Sequence, residues 1–181
     1  MRMLWAGYWD YFHFLDQMSL AIEKGFTQAW YEGAKIYGIE PGELTQEEHN
    51  RLTAEVNAER AFIGNFGQSI VANSKALHGK LTPLFARAEL WVAGYNRVRT
   101  LGSTYAAKDQ KEEWIYGDTK HCADCLNYNG RVYRASVWRK HNIFPQMYDL
   151  ECHGYHCKCR FEATNKPANK GYPPRPRGSR K

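Results

Sequence analysis

The segment "ECHGYHCKCR", residues 151–160, contains three of the five cysteines and two of the seven histidines of this chain. The other two cysteines lie upstream in "HCADC", residues 121–125. In a reducing compartment, clustered cysteines hold metal or do redox chemistry more often than they form disulfides. An odd number of cysteines also argues against a complete disulfide framework. These two segments therefore predict a metal site.

The spacing of the cysteines indicates which residues bind the metal. Cys122 and Cys125 form a C-x-x-C pair, a spacing that lets two thiolates share one tetrahedral ion. A second pair is available downstream in Cys157 and Cys159. Competing ligands in the same segment are Cys152, His153 and His156. Four thiolates favour zinc and leave no open coordination position, so we predict structural Zn²⁺. A redox dithiol, or cysteines that are merely buried or free, stay open as alternatives.

The N-terminal region has a helical pattern of apolar residues. The stripe consists of Trp5, Trp9, Phe12, Leu15, Met18, Ile22, Phe26 and Trp30. This recurrence at every third or fourth position predicts an amphipathic helix. Tyr8, Tyr11 and Phe14 lie off the stripe. This second aromatic face either packs inside the protein or meets a partner, because a monomer rarely leaves a large apolar face in water.

Two further helices are predicted before residue 110. Residues 41–42 (Pro-Gly) interrupt the pattern, and Thr45 with Glu48 forms a capping-box signature for the second helix. Residues 82–83 (Thr-Pro) are predicted as the N-cap and first-turn residue of the third helix, which ends near Gly102. Three helices of this length favour an antiparallel arrangement.

The pattern changes to short strands near residue 112. "EEWIYGDT" (112–119) predicts a strand and a turn, "NYNGRVYRA" (127–135) a turn at Asn129-Gly130 and a second strand, and "CRFEA" (159–163) a third strand. A unit of about fifty residues with three short strands is expected to bury little apolar surface and to need a metal or disulfide staple. Structural zinc contributes on the order of 10 kcal/mol to folding. The fold class predicted is α+β, with a helical region (1–110) and a zinc-stapled β-rich module (111–165).

The C-terminal tail, residues 166–181, carries the net charge of +6. Its six basic residues are Lys166, Lys170, Arg175, Arg177, Arg180 and Lys181, and it has no acidic residue. Four of the seven prolines also lie there, so we expect a flexible tail that is extended and mobile instead of packed. The tail is either a solubilising terminus or a non-specific contact to nucleic-acid phosphates.

The beginning of the sequence lacks the apolar stretch and cleavage site of a secretory signal, and no segment approaches the roughly 18 apolar residues of a membrane span. We therefore expect a cytosolic protein without a membrane partner.

The cysteine segments resemble a known family. Residues 111–133 and 151–163 are similar to the phage head morphogenesis family, the minor head proteins similar to the Mu F protein. The matching positions are Trp114, Asp118, Cys122, Cys125, Leu126, Gly130, Pro145 and Cys157-Lys158-Cys159-Arg160, with Glu89 and Asn96 on the preceding helix. The sequence departs from the family pattern at Gly154, where the family has a histidine, and at Lys158, where it has an arginine. The resemblance covers roughly residues 84–163.

The resemblance implies a non-enzymatic minor structural protein of a tailed double-stranded DNA phage. Such a protein is assembled in the host cytoplasm and incorporated in the virion, in the capsid interior or near the portal, where it assists head assembly or DNA packaging and delivery. The partners implied are the portal or the major capsid protein, contacted by the helical region 1–110, and packaged DNA, contacted by the basic tail.

Two other functions are open. "HNIFP", residues 141–145, is faintly similar to the histidine strand of HNH nucleases, but Lys140 and Asn142 flank His141 where that chemistry needs an acidic residue. A zinc-ribbon nucleic-acid-binding protein would share the metal site and the tail, although no recognition helix is evident. Asp118 is interpreted as a turn residue, and Glu89 with Asn96 as a polar contact to the module. A P-loop and a nucleophile elbow are both absent from the sequence.

Overall fold

The computed structural model describes residues 1–178, which form an α+β fold of three long helices followed by a small three-stranded antiparallel sheet. The elements are α1 (Arg2–Trp5), α2 (Tyr11–Lys35), α3 (Gln46–Ala72), α4 (Phe85–Ala106), β1 (Lys111–Ile115), α5 (Ala123–Tyr128), β2 (Val132–Arg134), α6 (Ala135–Lys140) and β3 (Arg160–Ala163), with 3₁₀ turns at Pro41–Glu43, Lys75–Leu77 and Thr82–Leu84. The predicted α+β class is confirmed. None of the helices in residues 1–178 has the length and apolar character needed to cross a bilayer.

The first long helix buries the predicted stripe except in its first turn. Asp10 caps α2 by accepting a hydrogen bond from the His13 amide at 2.8 Å. Phe14, which lies off the predicted stripe, is fully buried, whereas Phe12 is 74% exposed. The predicted stripe is wrong here because it counts a helical period across the break between α1 and α2. From Ile22 onward the predicted positions are buried.

The second and third helices begin where the sequence places them, with one difference. Thr45 and Glu48 form the predicted capping box of α3, with the Thr45 amide donating to Glu48 Oε2 at 2.8 Å. The predicted Thr82 cap is wrong: Thr82 is the first residue of a 3₁₀ turn at residues 82–84, and the N-cap of α4 is Leu84. The α4 helix then runs to Ala106, one turn beyond the predicted end.

The three long helices form the helical body, residues 1–106. Tyr11 donates to the Gly64 carbonyl and Arg60 pairs with Glu23, so α2 and α3 run antiparallel. The α2 and α4 helices approach very closely, since a Cβ atom on Gly33 would lie 2.0 Å from the Arg99 carbonyl oxygen. Only glycine allows backbones to pack at this distance.

A buried ionic cluster joins the body to the C-terminal region. Arg97 on α4 pairs with Glu55 at 3.2 Å and Glu59 at 2.9 Å, both on α3. The Arg97 guanidinium also lies over the Tyr148 ring, 4.4 Å from its centroid, and the Tyr148 hydroxyl donates to Glu59 at 3.1 Å. Because a buried charge without a partner is costly, this cluster fixes where the C-terminal region sits on the body.

The sheet of the C-terminal module has the strand order β2-β1-β3, with both pairs antiparallel. All three predicted strands are confirmed. The predicted turn at Asn129-Gly130 is also present, with Gly130 at a φ of 75°, but it follows α5, a helix that the sequence did not predict. The α6 helix was also missed.

The module buries more apolar surface than the sequence led us to expect. Trp114, Tyr128 and Trp138 are fully buried. The ring centroids of Trp114 and Tyr128 lie 4.7 Å apart, and those of Trp138 and Phe161 lie 5.0 Å apart. Large aromatic rings fill space efficiently, so three short strands and two short helices enclose a compact core. This core is continuous with that of the helical body.

The tail packs against the module, so the expectation of an unpacked tail is wrong for residues 166–178. We call this segment the strap. Its Asn169 exchanges two hydrogen bonds with Val132, at 2.7 and 2.8 Å. Farther along, the Tyr128 hydroxyl donates to the Pro174 carbonyl at 2.5 Å, and Pro173 and Pro176 are buried. Proline favours an extended backbone, and aromatic surfaces provide a groove for it.

Candidate metal centre

The first ligand pair is positioned by the start of α5. Cys122 is the N-cap of this helix, and its sulfur accepts a hydrogen bond from the Cys125 amide at 3.5 Å. A sulfur in this position satisfies one of the free amides of the first turn, much as a capping oxygen does. The two sulfurs lie 3.5 Å apart. The C-x-x-C segment therefore presents both thiols to the same side.

The second cysteine segment reaches the first through a close backbone contact. A Cβ atom on Gly117, in the turn after β1, would lie 2.1 Å from the Lys158 carbonyl oxygen. Glycine at this position lets the chain around Lys158 lie directly against the turn that leads to Cys122. Pairing of β3 with β1 then begins at Arg160, immediately after Cys159. The sheet thus holds the two segments in a fixed relation.

All five cysteine sulfurs converge in one cluster. They form two groups of three that share Cys125: one with Cys122 and Cys152, the other with Cys157 and Cys159, and within each group all sulfurs lie within 4.8 Å of one another. The Cys125 and Cys157 sulfurs are 3.9 Å apart. Zinc–thiolate bonds of about 2.3 Å in a tetrahedron place sulfurs about 3.8 Å apart, whereas a disulfide needs about 2.05 Å. The donor set and its spacing fit a thiolate-bound metal ion, and all five cysteines are free thiols.

The cysteine sulfurs of the cluster shift one another's pKa. Hydrogen bonds from Cys125 and Cys157 lower the pKa of Cys152 and the pKa of Cys159 to about 2. Hydrogen bonds to Cys152, Cys157 and Cys159, together with burial, raise the pKa of Cys125. The sulfurs with a lowered pKa therefore lie beside sulfurs with a raised pKa. A divalent cation would replace the thiol protons and neutralise the thiolate charge.

The two histidines named as alternative ligands do not join the cluster. The His153 ring nitrogen Nδ1 lies 2.9 Å from the Tyr148 carbonyl oxygen, and the His156 ring packs on Tyr155. Both are exposed. His121 lies closer to the cluster, with Nδ1 3.9 Å from the Cys159 sulfur, and sequence reasoning missed it although it directly precedes Cys122.

Carboxylates hold the cysteine segments from outside the cluster. The buried Asp124 accepts hydrogen bonds from the amides of Glu151 at 2.8 Å and Arg177 at 2.9 Å. Glu151 in turn accepts from the Ala123 amide at 2.8 Å. Asp124 follows two residues after Cys122, and Glu151 directly precedes Cys152, so these bonds connect α5, the second cysteine segment and the strap. An acidic residue inside a C-x-x-C pair was the available signal, but its partners are distant in sequence.

The structure also shows where Asp118, Glu89, Asn96 and His141 lie. Asp118 is exposed in the turn after β1. Glu89 accepts a hydrogen bond from the Tyr155 hydroxyl at 3.3 Å, and both Glu89 and Asn96 line a cleft of about 510 Å³ between α4 and the second cysteine segment. This contact agrees with the interpretation of Glu89 as a polar link to the module. His141 packs on Tyr172 of the strap.

The basic residues of the strap differ in their surroundings. Lys166 pairs with Glu113 at 2.7 Å. Lys170, Arg175 and Arg177 are exposed. Arg180 and Lys181 lie outside the described residues.

Comparison with protein-family models, with curated proteins and with solved structures finds no match to this chain.

Proposed function

We propose that this chain is a minor structural protein of the head of a tailed double-stranded DNA phage, closed at its C-terminal module by one structural zinc ion. The observation that carries the metal assignment is the convergence of five cysteine sulfurs from two distant segments. Four of these thiolates fill a tetrahedral shell, and Cys122, Cys125, Cys157 and Cys159 are the proposed ligands. A filled shell leaves no position for a reacting water, which supports a structural role.

The zinc assignment has a direct spectroscopic test. X-ray absorption at the zinc edge of the purified full-length protein should give a first shell of four sulfur atoms at about 2.3 Å. A shell made mainly of nitrogen or oxygen would contradict a four-thiolate site. Cobalt substitution offers an independent check, because tetrahedral thiolate sites give intense visible absorption that solvent-exposed sites lack.

A protein partner at the N-terminus is supported by exposed aromatic side chains. Tyr8 and Phe12 are 78% and 74% exposed, and Met3 is 41% exposed. Single exposed apolar residues are ordinary, but three within ten residues suit a contact surface. We propose that this end of the helical body contacts the portal or the major capsid protein.

A contact to packaged DNA is proposed for the strap. Lys170, Arg175 and Arg177 are exposed, and the neighbouring backbone is held by Tyr128 and Asp124. Phosphate contacts of this kind predict an affinity for duplex DNA that falls steeply with salt and does not depend on sequence. Binding that is unaffected by salt would contradict this proposal.

The virion assignment is tested on particles. Mass spectrometry of purified, nuclease-treated virions from the source of this sequence should detect the chain together with the portal and major capsid proteins. Particles that contain both of those proteins but lack this chain would contradict the proposal. We do not propose the nuclease alternative, because His141 Nε2 has no hydrogen-bond partner within residues 1–178 and its ring packs on Tyr172.

A further inference from the structure

A tetrahedral metal ion uses four thiolates, but the cluster contains five. The fifth sulfur is therefore held beside the proposed ligands without a coordination bond of its own. Cys125 is common to both groups of three and is 1% exposed, and Cys159 is fully buried. Cys157 is 9% exposed. These three residues occupy the interior of the cluster, which leaves Cys122 and Cys152 as the two candidates for the extra thiol.

Cys122 and Cys152 differ in how they are held. Cys122 belongs to the C-x-x-C pair, caps α5 and lies 3.5 Å from the Cys125 sulfur. Both residues of such a pair commonly bind the same ion. Cys152 lies in the loop before the C-x-C pair, and it is partly exposed, as is Cys122. The extra thiol is therefore Cys152, at the partly exposed rim of the cluster, where its sulfur lies within 4.8 Å of the Cys122 sulfur and also contacts Cys125 and Cys157.

We propose that Cys152 is an oxidation site that controls release of the metal, an inference that rests on the proposed zinc site. A small peroxide reaches the rim and oxidises Cys152: its thiolate attacks the O–O bond, hydroxide leaves, and a sulfenic acid forms. The Cys122 thiolate then attacks this sulfur, a second hydroxide leaves, and a Cys122–Cys152 disulfide forms. In total, two thiols and one hydrogen peroxide give one disulfide and two waters.

This disulfide removes one ligand from the proposed shell. Cys122 no longer provides a thiolate, so the ion retains Cys125, Cys157 and Cys159 and its affinity falls. Because the carboxylates of Asp124 and Glu151 join the backbones next to Cys122 and Cys152, the two sulfurs stay close enough to react. A thiol reductant and free zinc should restore the original state.

The test uses the zinc-loaded full-length protein and hydrogen peroxide. Released zinc is followed with a chromogenic chelator, and disulfides are mapped by mass spectrometry of peptides without reduction. Wild-type protein should release zinc and yield a Cys122–Cys152 link. Cys152→Ser should still bind one zinc and should release it at least about tenfold more slowly, because the partner that traps Cys122 is missing. Cys152→Ala should behave like the serine variant.

Each other outcome has a defined meaning. Loss of zinc binding in both Cys152 variants would make Cys152 a ligand and overturn the proposal. Equal release rates in wild type and variants, or a link other than Cys122–Cys152, would also overturn it. Purified wild-type protein without zinc would instead contradict the proposed function. In that case the Cys122–Cys152 link is still expected in the metal-free protein, and its absence would overturn the inference separately.

Discussion

The helical body and the C-terminal module achieve their stability in different ways. The body packs three long helices through aromatic and aliphatic side chains and through close glycine contacts, as at Gly33. The module has short elements, so its segments are joined by an aromatic core, a cysteine cluster and buried polar contacts such as those of Asp124. Stability in the body is distributed over many side chains, whereas in the module a few residues join the segments. Single substitutions should therefore have larger effects in the module.

The largest effect is expected at the centre of the cluster. Cys125→Ser removes the one sulfur that both groups of three share. Because structural zinc contributes on the order of 10 kcal/mol, we expect the module to lose its ordered state. Near-ultraviolet circular dichroism should lose the signal of the module's tryptophans, while the far-ultraviolet helical signal of the body is largely retained.

The adjacent Leu126 provides the control for this experiment. It is 58% exposed, so Leu126→Ser should leave both signals and the zinc content unchanged. If Cys125→Ser keeps the tryptophan signal, the aromatic core alone folds the module and the contrast with the body is wrong.

The second-largest effect is expected at Glu112, where the helical body meets the C-terminal module. Glu112 on β1 is fully buried and accepts a hydrogen bond from Tyr37, next to the end of α2, at 2.8 Å. Burial raises the pKa of Glu112 from its ordinary value of 4.5 to about 7, although the Tyr37 hydrogen bond lowers it. Protonation of the Glu112 carboxyl group stabilises the folded protein. This stabilisation is fully present below pH 4.5 and is lost as the pH rises to about 7. This shift corresponds to about 3 kcal/mol.

Glu112→Gln tests this linkage, because glutamine stays neutral and its oxygen can still accept from Tyr37. Urea unfolding at pH 8 should show the variant more stable than wild type by up to about 3 kcal/mol, with a much smaller difference at pH 5. Acid weakens metal binding in both proteins, so the difference between them at each pH is the readout. Glu162→Gln, at an exposed carboxylate of β3, serves as the control. A pH-independent difference would contradict the assignment.

The third effect concerns the body alone. Gly33→Ala would place a Cβ atom 2.0 Å from the Arg99 carbonyl and force α2 away from α4. Overpacking of this kind costs about 1–3 kcal/mol of unfolding free energy. Gly25→Ala on the same helix is the matched control, since its Cβ would lie 4.0 Å from Tyr95, and it should be neutral or slightly stabilising. Equal stability of the two variants in thermal unfolding would contradict the close packing of α2 against α4 at Gly33.

The smallest effect is expected at the strap. Asp124→Asn keeps one acceptor oxygen for two backbone amides. We expect the variant to lose about 1–2 kcal/mol of local unfolding free energy, confined to the strap and its neighbours. Limited trypsin digestion should then cleave more rapidly after Lys170. Asp118→Asn, at an exposed turn, is the control. Unchanged cleavage in Asp124→Asn would show that the strap is held by other contacts.

Local signals predicted much of this fold. The capping box at Thr45, the turn at Gly130 and the three strands depend on residues close together in sequence, and each is present. The convergence of the two cysteine segments was also predictable, because a thiol-rich pair needs a second pair to complete a tetrahedral site.

The features that were missed depend on distant contacts. The packed strap needs the Tyr128 hydroxyl and the Asp124 carboxylate, which lie 46 and 53 residues before their partners. The composition of a proline-rich basic segment does not indicate such partners. The buried face was misplaced only at the start of α2, because the predicted helical period runs across the break between α1 and α2, which contains Gly7 and the Asp10 cap. The sequence indicated Cys152 only as one of several alternative ligands, since spacing alone does not distinguish it from the neighbouring histidines.

The central claim is that thiolates from two distant segments hold one structural ion. Elemental analysis of the purified full-length chain, prepared at neutral pH without chelators, measures this most directly. We expect one zinc per chain in the wild type and none in Cys125→Ser. A wild-type protein that contains no zinc, yet is folded and unchanged by a strong chelator, would contradict the account.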